Sequence, residues 1–163
     1  MKKAPLLPIL AFCALFFTAC KNDSYPKVNN PNYQTDAANP EYMHRSLQTL
    51  TYTVKHDIFP PMIAARIYAY SHVAAYEAMI AANPAGKNIS LAGQLNGLAE
   101  LPKAPAGTTI CAPVAALKAY MKVGKTLTFT PDSIDAFVAK SLNEFKQMGV
   151  PREVFEASVA LGD

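Results

Sequence analysis

Histidine, cysteine, tyrosine and a few isolated charges are the side chains of this sequence with reactive potential. The three histidines, His44, His56 and His72, fall on three different segments. None has a second histidine at the i, i+3 or i+4 spacing that builds a helix-borne metal site, so each reads as a hydrogen-bonded structural residue. His56 and Asp57 are adjacent, and adjacent side chains do not face one another on a helix. Cys111 follows Ile110 in an apolar setting with no histidine beside it, which suits a buried thiol better than a nucleophile. Nucleophile-elbow, Walker, Rossmann-glycine and HExxH patterns are all absent from the 163 residues. The residue types therefore assign no catalytic residue and no metal ligand.

Two charges stand out for their setting. Residues 60–82 form the longest helical signal, apolar on nearly every face, opened by Pro61 at a first helical position and stopped by Asn83-Pro84. Within it only Arg66, Ser71, His72 and Glu77 are clearly polar, and such a helix is expected to be covered on several sides. Arg66 and Glu77 share one stripe at 100° per residue but lie eleven positions apart, about 16 Å along the axis. They cannot pair with each other, and each calls for a partner elsewhere, because a buried unpaired charge costs several kcal/mol. Bracing loops over an active centre is one role for them; an ion pair with a neighbouring helix is the favoured one. Tyr68, Tyr70 and Tyr76 on the same helix read as packing residues before pocket-lining ones.

The elements around this helix follow from the order of the chain. Residues 1–19 carry Lys2 and Lys3, an apolar run from Leu6 to Phe17 and small residues before Cys20, the layout of a secretory signal peptide, with the run too short to span a bilayer comfortably. Phe17-Thr18-Ala19-Cys20 resembles a bacterial lipobox, which makes Cys20 a lipidation site and implies an exported, membrane-anchored protein. Without Lys2 and Lys3, 13 basic residues face 12 acidic ones, and no electrostatic footprint for nucleic acid remains. Cys111 is then the one thiol left, so neither a disulfide framework nor a cysteine metal site is available.

Residues 20–40, poor in aliphatic side chains, read as the lipidated cysteine and a flexible tether. From residue 41 helical periods take over. Met43, Leu47, Leu50 and Val54 mark one face of a first helix ending near His56-Asp57, and Asp57-Ile58-Phe59-Pro60 makes an elbow into the apolar helix. Residues 83–107 read as an irregular connection, with turns or a short helix at 88–98. A further helix carries Val114, Leu117 and Met121 and is expected to end at Gly124. Thr130-Pro131-Asp132 supplies an N-cap, a first-position proline and an early acid for the next, whose stripe is Ile134, Phe137, Val138, Leu142, Phe145 and Met148, with Gly149 as its stop. A last helix begins at Val150-Pro151, and its apolar face at Val154, Phe155, Ser158 and Val159 looks interrupted at Asp163. No strand alternation is present. The class is all-α, with residues 41–163 as a partial helical bundle.

Asp57-Ile58-Phe59-Pro60-Pro61, Ala65-Arg66-Ile67-Tyr68-Ala69-Tyr70 and Ala74-Ala75-Tyr76-Glu77-Ala78 together resemble the N-terminal helical region of bacterial vanadium-dependent haloperoxidase-like proteins, within the type 2 phosphatidic acid phosphatase superfamily. The Ala-rich stretch Pro113 to Tyr120, and Gly149-Val150-Pro151 through Ser158 and Gly162, are similar to the family's following helices. The resemblance implies a bundle that holds vanadate or phosphate between a Lys with a downstream Arg-Pro, a Pro-Ser-Gly-His segment and a later Arg and His. A trigonal-bipyramidal anion needs such fixed cations, donors and an imidazole. This sequence contains neither Arg-Pro nor Pro-Ser-Gly-His. The expectation is thus an N-terminal scaffold part, inactive by itself and with no cofactor of its own, whose partner is a C-terminal helical half; vanadate belongs to the full-length family. The alternative is a small, non-catalytic helical lipoprotein that binds a partner or ligand.

Overall fold

The computed structural model describes residues 25–83, 86, 89–98 and 101–163, and these form helices and turns with no strand among them. The leader, Cys20 and Asn83-Pro84's proline lie outside the described residues. Among the described residues six helices follow in order: α1 (Tyr33–Ala37), α2 (Glu41–His56), α3 (Pro61–Ala82), α4 (Ala112–Thr126), α5 (Asp132–Met148) and α6 (Arg152–Gly162). The α3·α4 pair makes the most extensive contact, and α6 and then α2 and α5 pack around α4. α4 is consequently the central element, buried at Val114, Ala115, Ala116, Leu117, Tyr120 and Met121. Leu50, Ile67, Ile134, Phe145 and Val150 close the same core. Tyr42 stacks on Phe145 at 4.2 Å between ring centroids, joining α2 to α5.

α3 departs from its expectation. It buries Ile67, Ser71, Ala75, Glu77 and Ala78, but Met62, Tyr70 and Met79 are 82%, 55% and 50% exposed. Its apolar character all round is thus used on one side and left open on the other.

Local chemistry explains the other differences. The inward face of α2 is centred on Tyr42, Ser46, Leu50 and Thr53, and Leu47 is exposed. Ser46 and Thr53 can be buried because each hydroxyl donates to the carbonyl one turn back, Tyr42 O at 2.7 Å and Thr49 O at 3.1 Å. α4 does not stop at Gly124 but continues to Thr126. A Cβ at Gly124 would lie 2.9 Å from Leu50 Cδ1, so this glycine serves the close approach of α2 rather than a helix end. Thr130 does not cap α5: Pro131 occupies that position, with no side-chain cap bond. Gly149 does end α5, in the left-handed conformation at φ 95°. The 88–98 region holds turns and no helix among its described residues.

The stretch read as a flexible tether is packed from Tyr25 onward. Tyr25 Oη donates to Val150 O at 2.6 Å, Asn30 Nδ2 donates to Met148 O at 2.9 Å, and Ala37 is fully buried in α1. Aliphatic content missed this because the contacts are made by a phenol, an amide and a methyl.

Candidate functional site

Beside the buried face of α3 runs a groove of about 530 Å³ lined by Tyr70, Val73, Glu77 and Ala81 of α3, Val123 of α4 and Leu161 at the end of α6. Leu98 and Leu101 of the α3–α4 connection form one lip, and Lys122 and Asp163 stand at the rim. The helices supply this shape directly. Ala74, Ala78, Ala115 and Ala119 let α3 and α4 approach closely at its floor, while larger apolar side chains build the walls.

Glu77 is the polar group of the groove. It is 5% exposed, and its partner is not a cation on another helix, as expected, but the connection itself. Ser90 Oγ donates to Oε2 at 2.8 Å and Leu91 N to Oε1 at 2.6 Å. Tyr76, one residue earlier, donates from Oη to Ile89 O at 2.9 Å. α3 therefore pins the turn that overhangs the groove, which is a bracing role. Arg66 is not part of it: the side chain is exposed and makes no hydrogen bond or ion pair to another described residue. Among the described residues neither position makes the expected ion pair with a neighbouring helix. Cys20 lies outside the described residues.

The other candidates do not converge. His44 lies 3.8 Å from Glu41, an exposed i, i+3 contact. His72 Nδ1 is 2.7 Å from Tyr68 O and its ring meets Tyr120 edge-on at 5.1 Å. Among the described residues no three His, Cys, Asp or Glu side chains come together as a metal ion would require. Cys111 is fully buried, and burial pushes its thiol up, away from the reactive thiolate. Tyr68 donates to Thr51 Oγ1 at 3.2 Å, Tyr70 lines the groove, and burial raises the Tyr120 phenol far above its ordinary range.

His56 and Asp57 do meet, at 3.3 Å, because Asp57 sits past the last helical residue, where the rule against neighbours does not hold. Asp57 is the polar residue that sequence reading missed. Its carboxylate accepts from Phe129 N at 2.7 Å, Thr130 N at 3.3 Å and Thr130 Oγ1 at 2.5 Å. Burial acts to raise its pKa, but the Thr130 hydroxyl, the Phe129 N–H, His56 and the Thr130 N–H together outweigh it and hold it below the usual carboxylate value. The arrangement ties the α2–α3 elbow to the α4–α5 turn. Its one sequence signal is an aspartate at a helix end before a proline elbow.

The described residues do not fit vanadate. The basic cluster of Lys118, Lys122 and Lys125 on α4 is engaged by Asp163 at 2.9 and 3.3 Å and by Asp135 at 2.6 Å, and no imidazole lines the hollow beside it. The groove carries a buried carboxylate, which repels an oxyanion.

With this geometry in place, comparison with solved structures is informative. The crystal structure of a bacterial vanadium-dependent iodoperoxidase is similar to this chain with a TM-score of 0.68 and 36% sequence identity, over 76% of this chain and 29% of that one. The chain thus carries a haloperoxidase-like helical fold while spanning under a third of the length of the protein it matches. No family model matches the chain, and no curated protein does.

Proposed function

We propose, from the fold shared with part of a vanadium-dependent iodoperoxidase, that this chain is the N-terminal scaffold part of a haloperoxidase- or phosphatase-like enzyme. In this reading it supplies packing surface, not oxyanion chemistry, and does not turn over halide or phosphate ester alone. The observation that carries the reading is the apolar groove of about 530 Å³ beside α3, with exposed Tyr70 and half-buried Val73 and Ala81 along it. An apolar groove of this size suits an interaction surface, and a C-terminal helical half is the occupant that the family offers. The missing Arg-Pro and Pro-Ser-Gly-His segments support the same division of labour. Export and lipid anchoring through Cys20, suggested by the layout of residues 1–20, place the assembly on a bacterial membrane.

The second reading, a complete helical binding module, is favoured by one feature: Glu77 already pins a turn over the groove, as a ligand-binding site requires. Titration with a solvatochromic apolar dye separates the two, together with thermal unfolding followed by circular dichroism. A scaffold part binds dye in its folded state, and Val73→Lys in the groove wall removes most of that binding. A sharp, cooperative melt with no dye bound at any temperature below it overturns the scaffold reading.

A further inference from the structure

The two ends of the bundle differ in a way that bears on how an anchored molecule would sit. One end gathers the start of the described chain, the end of α5 and the start of α6. There Tyr25 Oη is bonded to Val150 O, the Tyr25 ring meets Phe155 edge-on at 5.9 Å, and Lys146 Nζ lies 5.7 Å and 5.0 Å from those two ring centroids. Asn30 bridges Met148 O and Asp36 Oδ2, and Gln34 Nε2 donates to Ile110 O at 3.3 Å. Residues 25–37 are thus a strap fixed at three successive points. The opposite end holds the elbow, where Ile58 is 86% exposed and Phe59 packs on Phe129 at 4.9 Å. The seventeen residues of α5 run between the two ends, about 25 Å by the helical rise.

We propose that the strap orients the molecule on a lipid surface: with a lipid on Cys20, the Val150 end faces the bilayer and the Ile58 end points away. The inference rests on the anchoring reading above. Four residues lie between Cys20 and Tyr25, and the five steps of chain from one to the other reach at most about 18 Å. Because Tyr25 is bonded into the fold, that leash is attached to one end of the bundle and cannot be paid out from residues 25–37. A free tether reaching to residue 40 would allow every orientation. Arg152 is paired with Glu156 at 2.8 Å on this end, and the orientation comes from the short leash and not from net charge.

The test uses the full chain, processed and lipidated in a bacterial host and reconstituted in phosphatidylethanolamine–phosphatidylglycerol vesicles carrying an acceptor-labelled lipid. A donor dye is placed on Glu153→Cys or on Ile58→Cys, with Cys111 buried and unlabelled. Transfer to the bilayer is expected to be at least about twofold stronger from position 153, as a reach of ~18 Å against a further ~25 Å requires. Tyr25→Ala with Asn30→Ala is expected to abolish the difference. A Gly-Ser insert of about twenty residues between Cys20 and Tyr25, flexible and outside the fold, is expected to abolish it as well, even if the strap variant folds poorly. Equal transfer from both positions in a lipidated chain overturns the inference and leaves the anchor standing, as does a difference that survives the insert. An intact mass without lipid on Cys20 overturns both.

Discussion

Asp57 and its neighbour Ile58 show two opposite residue-scale solutions at one elbow. Asp57 is held ionised by donors from the α4–α5 turn, so its folded pKa lies below its unfolded value. The unfolded state then binds more protons as acid is added, and the stabilisation, complete above about pH 5, fades as the pH falls through the unfolded carboxylate value of ~3.9. Asp57→Asn is expected to flatten the acid limb of a stability-versus-pH curve, measured by urea unfolding between about pH 3 and 6. A limb as steep as that of the parent would remove Asp57 from this role. Ile58, at φ 55°, is a β-branched residue in the left-handed region, where an L side chain costs roughly 1–2 kcal/mol. Its side chain is mostly in solvent, so little packing offsets that cost. Ile58→Asn is expected to stabilise the fold by about 0.5–1 kcal/mol in the same experiment. The role of Asp57 was not legible beforehand, because it depends on a turn 72 positions later in the chain.

At the scale of elements, the period of apolar residues placed α5 and α6 near their observed limits, while the limits of α3 followed from Pro61 and Asn83. The period failed where burial is polar or small. The face of α2 is turned toward Ser46 and Thr53, and α4 runs on past Gly124 because that position needs no side chain against Leu50. The crossing of α6 and α4 depends on the same economy. A Cβ at Gly162 would lie 2.6 Å from Ala115 O and 2.7 Å from Lys118 Cβ. Backbone cannot yield as a side-chain tip can, so Gly162→Ala is expected to cost about 1–3 kcal/mol, read as a fall in the urea midpoint at unchanged slope. Glu77 belongs to this scale because it joins α3 to the connection. Glu77→Ala removes the acceptor of both Ser90 Oγ and Leu91 N and is expected to speed proteolytic cleavage within residues 86–110 severalfold while leaving the helical circular dichroism unchanged. Cleavage at the parent rate would show that the turn is held by other contacts.

For the whole molecule, the all-helical class and the likeness to haloperoxidase-type bundles were readable from α3 and its proline elbow, since an apolar, alanine-rich helix of 22 residues constrains everything that packs on it. The groove was not, because which side of such a helix stays open is decided by its neighbours and not by its own sequence. Nor was the strap, whose contacts join Tyr25 and Asn30 to residues more than a hundred positions away. The scaffold account joins three features: an apolar face in solvent, a carboxylate in place of oxyanion donors, and basic residues already matched by Asp163 and Asp135. The measurement that tests it most directly is vanadate-dependent iodide and bromide oxidation, with equilibrium vanadate binding, on purified chain shown by circular dichroism to be helical. The account predicts no oxidation above the buffer rate and no saturable vanadate binding. Turnover, or binding of one vanadate per chain, would contradict it.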